Sequence, residues 1–528
     1  MNFACVKNRC VEILKNNKSL FLRTIVIAFA FGIITHGFMY FSNSVAYDAL
    51  NEFVTDKSVQ IWKVQLGRVF VPIYQNFTRG LITLPFLVGI LATLYTAISL
   101  FFVCKIFDIN SNLLIILIAG IFTANITTIS LTSTFIHDLD SDMLSLMFSV
   151  IAVYLWKRYK FGYLYAIIPL IFTMGLYQAF VQVTITLIII YSILTLLKGG
   201  ENAFKDTLIK GLKGVVTLCA TALIYFISAK IIAKVYGTSI MSNGYNSIDK
   251  VFFLSPSRLF WVTVLTYFGT IKSVIMPLSA FSNPFVLIVH ITILLSTIAL
   301  IIANGIKNRL KVKEWLGLAL LIGVLPFGLN ICQILANGMS HDVMHFSFCL
   351  VYLLAMLVAR ESYFNFKKEK INLTLSALKP IIFVLVGVTI FGNVRLANTA
   401  YTIRAFEKDA NISLMTRIVD DIESSDIGYI TGETKIVFVG EPTHLLQSPK
   451  EFKKAKSIHG MYNTFFPLLR SSTYQAFFDY YLMYPGLVAT DDEKNKIIED
   501  NDGFKDMEIY PSANSMKMQD GYLIVKLG

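Results

Sequence analysis

The sequence predicts a polytopic α-helical membrane protein of about eleven transmembrane helices, followed by a small C-terminal α/β domain outside the cytoplasm. Three observations predict it. Of 528 residues, 55% are hydrophobic and 15% charged, whereas a soluble domain carries roughly 25% charged residues. Apolar runs of about 20 residues, the length that crosses a bilayer, recur along the chain, and the mean hydropathy is +0.63. Past residue 397 the composition turns polar, which sets the expected division into 1–397, the membrane part, and 398–528.

The expected spans are 22–41, 81–103, 113–131, 143–156, 163–177, 179–197, 214–232, 283–303, 315–336, 346–359 and 380–397. The first follows a basic lead, and Ser44-Val45-Ala46 faintly resembles a signal-peptidase site; its length and the spans after it favour a retained anchor. The run 163–197 is divided into a hairpin at Tyr177-Gln178.

Charge tests that division. One set of connections carries 22 Lys and Arg residues, among them Arg23, Lys105, Lys157, Arg158, Lys198, Lys307, Arg360 and Lys379. The opposite set before the tail carries eight: Lys57, Lys63, Arg68, Arg79, Lys234, Lys250, Arg258 and Lys272. Cytoplasmic loops are the basic ones, so the N-terminus is expected in the cytoplasm. Loops 42–80, 132–142, 233–282 and 337–345 and the tail are expected outside. The net charge of +12 is thus spent on topology, and no nucleic-acid partner is expected.

In the tail, residues 400–423 read as an amphipathic helix, and Lys435–Val439 and Tyr522–Leu527 as buried strands. The six cysteines, at 5, 10, 104, 219, 332 and 349, have no metal-ligand or disulfide spacing. No metal and no cofactor is expected.

The expected spans hold no acidic residue, unlike those of proton-coupled transporters. Acids collect instead at the external span ends: Asp48, Glu52, Asp56, then Asp138, Asp140 and Asp142. That puts a reaction centre at the outer boundary, where a lipid-linked substrate is available and a nucleotide sugar is not. Asp48 is the first candidate for a general base, with Glu52 one helical turn on. Arg68 suits a phosphate, and Trp62 suits a sugar face or the interface belt. The loop around His137, Asp138, Asp140 and Asp142 lacks the glycine and terminal glutamate of a calcium loop and reads as catalytic or hydroxyl-binding. His341-Asp342 and His345 form a weaker pair. Tyr177-Gln178 needs partners at membrane depth, a helix or substrate.

Four passages carry a resemblance to a known family. They are Tyr47-Asp48 with Trp62 and Leu66-Gly67-Arg68; Asp140-Ser141-Asp142-Met143; Leu176-Tyr177-Gln178-Ala179; and Tyr510-Pro511-Ser512 with Gly521–Leu527. In order and spacing the chain resembles the type II Gtr family of serotype-converting O-antigen glucosyltransferases. The family usually has paired acids in the first loop; here the first is Tyr47, which leaves Asp48 as the carrier.

The resemblance implies a GT-C type fold in the bacterial inner membrane, with a periplasmic site and C-terminal domain. It implies a polyprenyl-phosphate glucose donor, supplied by a donor synthase and a flippase, and a lipid-linked O-antigen acceptor. The expected reaction is one inverting displacement. Asp48 is the base, with Glu52, Asp140 and Asp142 as further catalytic candidates. Arg68 and then Arg258 stabilise the leaving phosphate, and Trp62, Tyr177, Gln178 and His137 bind substrate. The alternatives are a lipid-linked sugar transporter or flippase, and a related enzyme with another sugar donor.

Overall fold

The computed structural model describes residues 17–242, 248–276, 284–364, 366–445, 458, 461, 468–500 and 506–528. The basic lead before Asn17, with Cys5 and Cys10, lies outside the described residues. Among the described residues, eight helical runs are long and apolar enough to cross a membrane, with Gly162–Lys198 counted as one, or nine if one bent pair is a single span.

The chain opens with α1 (Lys18–Phe41) and then two short helices, α2 (Tyr47–Asn51) and α3 (Lys57–Gln65). Asp56 starts α3 by accepting the Val59 amide at 2.9 Å. After α4 (Val71–Arg79), Pro85 opens α5 (Pro85–Ile106), where the missing amide proton costs nothing. The expected third span is broken into α6 (Asn112–Thr123) and α7 (Ile126–Thr134), bent by 44°. Asn125 caps the second piece, its Oδ1 accepting from the Thr128 amide.

α8 (Leu139–Arg158) starts four residues before the expected 143, so Asp140 and Asp142 lie inside a helix rather than in a loop. Acids in the first turn and Lys157 and Arg158 in the last both suit the helix dipole.

The run Gly162–Lys198 turns back on itself at its midpoint, as α9 (Ile167–Tyr177) and α10 (Val181–Lys198). Tyr177 is extended, at φ −152°. Ser145 of α8 donates to the Thr173 and Tyr177 carbonyls and Thr184 donates to the Ser149 carbonyl. At the other end of α8, Trp156 packs on both Ala166 and Tyr191. The two halves thus run antiparallel, as the charge pattern required.

α11 (Ala203–Val235) follows. A further helix, α12 (Pro256–Ile275), fills part of what read as loop 233–282. Arg258 and Lys272 near its ends cut its apolar stretch short, and so hid it from a search for spans. Next come α13 (Pro284–Lys307), α14 (Val312–Leu335) and α15 (Leu350–Glu361). At 12 residues α15 is only about 18 Å long. α16 (Glu369–Ser424) is one 56-residue helix that continues unbroken through residue 397.

Beyond it, β1 (Lys435–Val439), β2 (Leu487–Val488), the helix α17 (Asp491–Asp500), β3 (Met516–Gln519) and β4 (Tyr522–Lys526) build a sheet of order β2-β1-β4-β3. β1 pairs parallel with β2 and β4. β3 and β4 form a hairpin across Asp520-Gly521, both at positive φ, the preferred two-residue turn.

Basic residues gather at one end of the bundle. Arg23 bonds Asn112 at 2.7 Å, Lys157 meets Asp108 at 3.2 Å, and Arg360 bonds the Phe107 carbonyl at 2.8 Å. The segments 42–84, 135–142, 177–180 and 337–345 meet at the other end.

Candidate active site

A cavity of about 300 Å³ lies at that second end. Its walls include Tyr47, Asp48, Glu52, Trp62, Lys63, Arg68, His137, Asp138, Asp142, Tyr177 and Gln178. Residues 130 positions apart in the chain meet because α2 and α3 fold over the α7–α8 junction.

Asp138, just before α8, is the hub. Its Oδ1 accepts from the Lys63 ammonium and, at 2.9 Å, from Gln75; its Oδ2 takes Arg68 Nη1 at 2.9 Å. Lys63 also meets Glu52 Oε2 at 2.7 Å, and His137 Nε2 lies 3.3 Å from the same oxygen. Burial works to push the Asp138 carboxyl up, but Lys63, His137 and Arg68 overcome it and hold it well below the carboxylate range. Burial likewise works against the Lys63 charge, and Asp138 and Glu52 more than restore it.

Glu52, His137 and Asp138 present atoms close enough to hold a metal ion. The Lys63 ammonium stands between two of those three groups. It supplies the positive charge that a cation would bring, so this donor set is neutralised from within the chain.

Arg68 lies 4.7 Å from the centre of the Tyr177 ring, a cation–π contact. Gly67 makes this possible. Its φ is +81°, and a Cβ there would come within 2.5 Å of the Tyr225 hydroxyl and 2.6 Å of Gln178 Nε2. Gln178 donates to the Leu66 carbonyl at 3.1 Å and to Tyr225, which donates to the Gly67 carbonyl at 2.7 Å. Gln178 therefore fixes the backbone that aims Arg68.

Asp48 is half-buried and faces the cavity. Burial raises its carboxyl above the ordinary value and Glu52 adds to this, while His137, the Tyr47 hydroxyl and Arg470 pull it back. Asp142 is buried, and its Oδ1 has no hydrogen-bond partner among the described residues. A buried carboxyl oxygen left without a partner is costly.

Two expected site residues lie elsewhere. Asp140 is fully buried beside the cavity, 3.5 Å from Arg79 Nε and bonded by Tyr74 at 3.2 Å. Arg258, on α12, donates to Asn337 at 3.0 Å and does not line the cavity. Of the weaker histidines, His341 lines this cavity and His345 a second one.

Sequence reasoning missed Lys63 and Arg79, which it counted only as topology charges, and it left Asp138 out of its chosen acids. Their rarity was the usable signal: eight bases were expected outside before the tail, and three of those meet these acids.

The second cavity, about 340 Å³, lies across the 341–345 segment, between α13, α15 and α16. Val289, Phe285, Val388 and Phe391 make its apolar wall, with His290, Asn393 and Arg395 among its polar groups.

Comparison with curated proteins and with solved structures finds no match. A family model, glucosyl transferase GtrII, matches residues 37–391, about two thirds of the chain and the whole cavity lining. The chain therefore belongs to the GtrII glucosyl transferase family.

Proposed function

We propose that the chain transfers glucose from a polyprenyl-phosphate donor to a sugar hydroxyl of a lipid-linked O-antigen, on the periplasmic face of the bacterial inner membrane. The observation that carries the reading is one cavity with a half-buried acid, Asp48, a guanidinium, Arg68, and an unpaired carboxylate oxygen on Asp142.

Each group has a task. Asp48 takes the proton of the acceptor hydroxyl as that oxygen attacks the anomeric carbon. Arg68 stabilises the charge that develops on the leaving phosphate. Asp142 accepts from a sugar hydroxyl, and Trp62, 39% exposed at the rim, offers a face for a sugar ring. Donor and acceptor are both amphipathic in this reading. The second cavity, with its apolar wall opening between α13 and α16, suits a lipid chain.

Sidedness rests on charge: the basic end of the bundle belongs in the cytoplasm and the cavity end outside. The sheet beyond α16 would then form a periplasmic unit beside the cavity.

The test is mass spectrometry of surface polysaccharide repeat units from a host given this chain, a donor synthase and a flippase. One added hexose per repeat, absent with Asp48→Asn, is the expected result. No added hexose from the inserted native chain across a range of acceptor strains would overturn the reading.

A further inference from the structure

The family match ends at residue 391, yet the short helix carrying the acid proposed as base is gripped by residues far beyond it. Arg470 places its guanidinium 4.7 Å from the centre of the Tyr47 ring. Asn51, at the end of the same short helix, donates to Ser472 at 3.3 Å. Tyr481 donates to the Asn43 carbonyl at 2.6 Å and accepts from the Val45 amide at 3.1 Å. The Tyr480 ring packs on Phe53 at 4.9 Å. These contacts bracket α2, five residues long with no side-chain cap. So short a helix does not hold itself; its orientation comes from what grips it.

We propose that Arg470 is a positioning residue of this site: stacked on Tyr47, it fixes the turn that presents Asp48 to the cavity and adds a positive charge there. This rests on the reading of Asp48 as base. Among the described residues, the groups facing Asp48 are Tyr47, Glu52, His137 and Arg470, and Glu52 and His137 are already engaged with Lys63 and each other. Arg470 is therefore the nearby charge whose removal leaves that inner network intact.

The geometry also separates two properties of the guanidinium. Its plane stacks on an aromatic ring, which an ammonium does less well, while its charge acts on Asp48 in either form.

The experiment is the rate of hexose transfer against pH for the native chain and for Arg470→Gln, Arg470→Lys and Tyr47→Leu, each checked for membrane insertion and thermal inactivation. With Gln, the acid limb of the profile moves to higher pH, with a rate loss of about tenfold below the limb for each unit moved and recovery at alkaline pH. With Lys, the limb stays near its native place and the plateau falls. Tyr47→Leu combined with Arg470→Gln loses less than the sum of the two, because they break one contact. A native profile in Arg470→Gln, or a loss equal at every pH, overturns the inference. Asp48→Asn, run beside them, separates the failures: full activity there sinks the base assignment, whereas an inactive Asp48→Asn with a native Arg470→Gln sinks only the role of Arg470.

Discussion

Lys63 Nζ lies 2.7 Å from Glu52 Oε2, and the same ammonium is hydrogen-bonded to Asp138. One buried lysine thus joins α3, the end of α2 and the start of α8. Removing it leaves Glu52 and Asp138 without the ammonium that lies between them. Breaking a buried pair from one side costs about 3–5 kcal/mol. Lys63→Met is therefore expected to inactivate at markedly lower temperature than the native protein. A companion Lys63→Met, Glu52→Gln pair, which leaves Asp138 with its Arg68 partner, should recover part of the loss. Thermal inactivation of the detergent-solubilised protein checks both.

The same ammonium bears on metal dependence. Because it neutralises the donor set formed by Glu52, His137 and Asp138, transfer by the native chain is expected to withstand a strong chelator at neutral pH. Activity lost to the chelator and restored by a divalent cation would show that an ion works beside Lys63.

Asp48, as the proposed base, is expected to set the acid limb of the rate profile. A base must be ionised, and burial raises its carboxyl above the ordinary value. Falling pH therefore protonates it earlier than an exposed aspartate, and the rate should decline at a higher pH than it would with an exposed aspartate as base. Asp48→Asn should lose about 10²–10⁴-fold of the rate, and the residual rate should no longer show that limb. Glu52 pushes Asp48 up, so Glu52→Gln should move the limb to lower pH.

Much of this arrangement could be read from residue types. The hairpin at Tyr177 followed from charge balance, because only a fold-back keeps Lys198 and Lys307 on the basic side. β1 and β4 were visible as short apolar runs in a polar tail. Asp48, Glu52, Trp62, Arg68 and Tyr177, singled out because polar groups cluster at span ends, line one cavity. What was not legible was pairing. Asp140 and Asp142 sit two apart in α8 and so point to different sides of the helix, one to Arg79 and one to the cavity. Lys63 and Arg470 owe their places to contacts 75 or more positions away, which no local pattern encodes. α12 was missed because a search for long apolar runs passes over a helix with charges near both ends.

Gly67 offers a test of the backbone behind Arg68. An alanine there would be strained at φ +81° and would crowd both Tyr225 and Gln178. Gly67→Ala is expected to lower the affinity for the donor more than the thermal stability, because the displaced part is the turn that aims Arg68. Tyr225→Phe relieves part of the crowding, and should restore some donor affinity to the Gly67→Ala chain. Donor-concentration dependence of the rate is the measurement.

Asp140 and Asp142 should part company under the same substitution. Asp142 Oδ1 is buried without a hydrogen-bond partner among the described residues, so the empty protein carries the desolvation cost of that oxygen. Replacing it by an apolar side chain of similar volume removes the cost. Asp142→Leu is therefore expected to inactivate at the same or a higher temperature, while losing the sugar hydroxyl contact. One such hydrogen bond contributes about 0.5–1.5 kcal/mol, or roughly 2–10-fold in transfer. Asp140 has Arg79 at 3.5 Å and Tyr74 at 3.2 Å. Arg79 is itself buried and holds the His137 carbonyl and the Ile82 carbonyl. Asp140→Leu strands that guanidinium without its counter-charge, so it should lower stability first and activity only as a consequence. Measuring inactivation temperature and transfer rate for both variants decides between a substrate-facing and a supporting acid. If Asp142→Leu destabilised the protein and Asp140→Leu did not, the roles assigned to the two acids would be reversed.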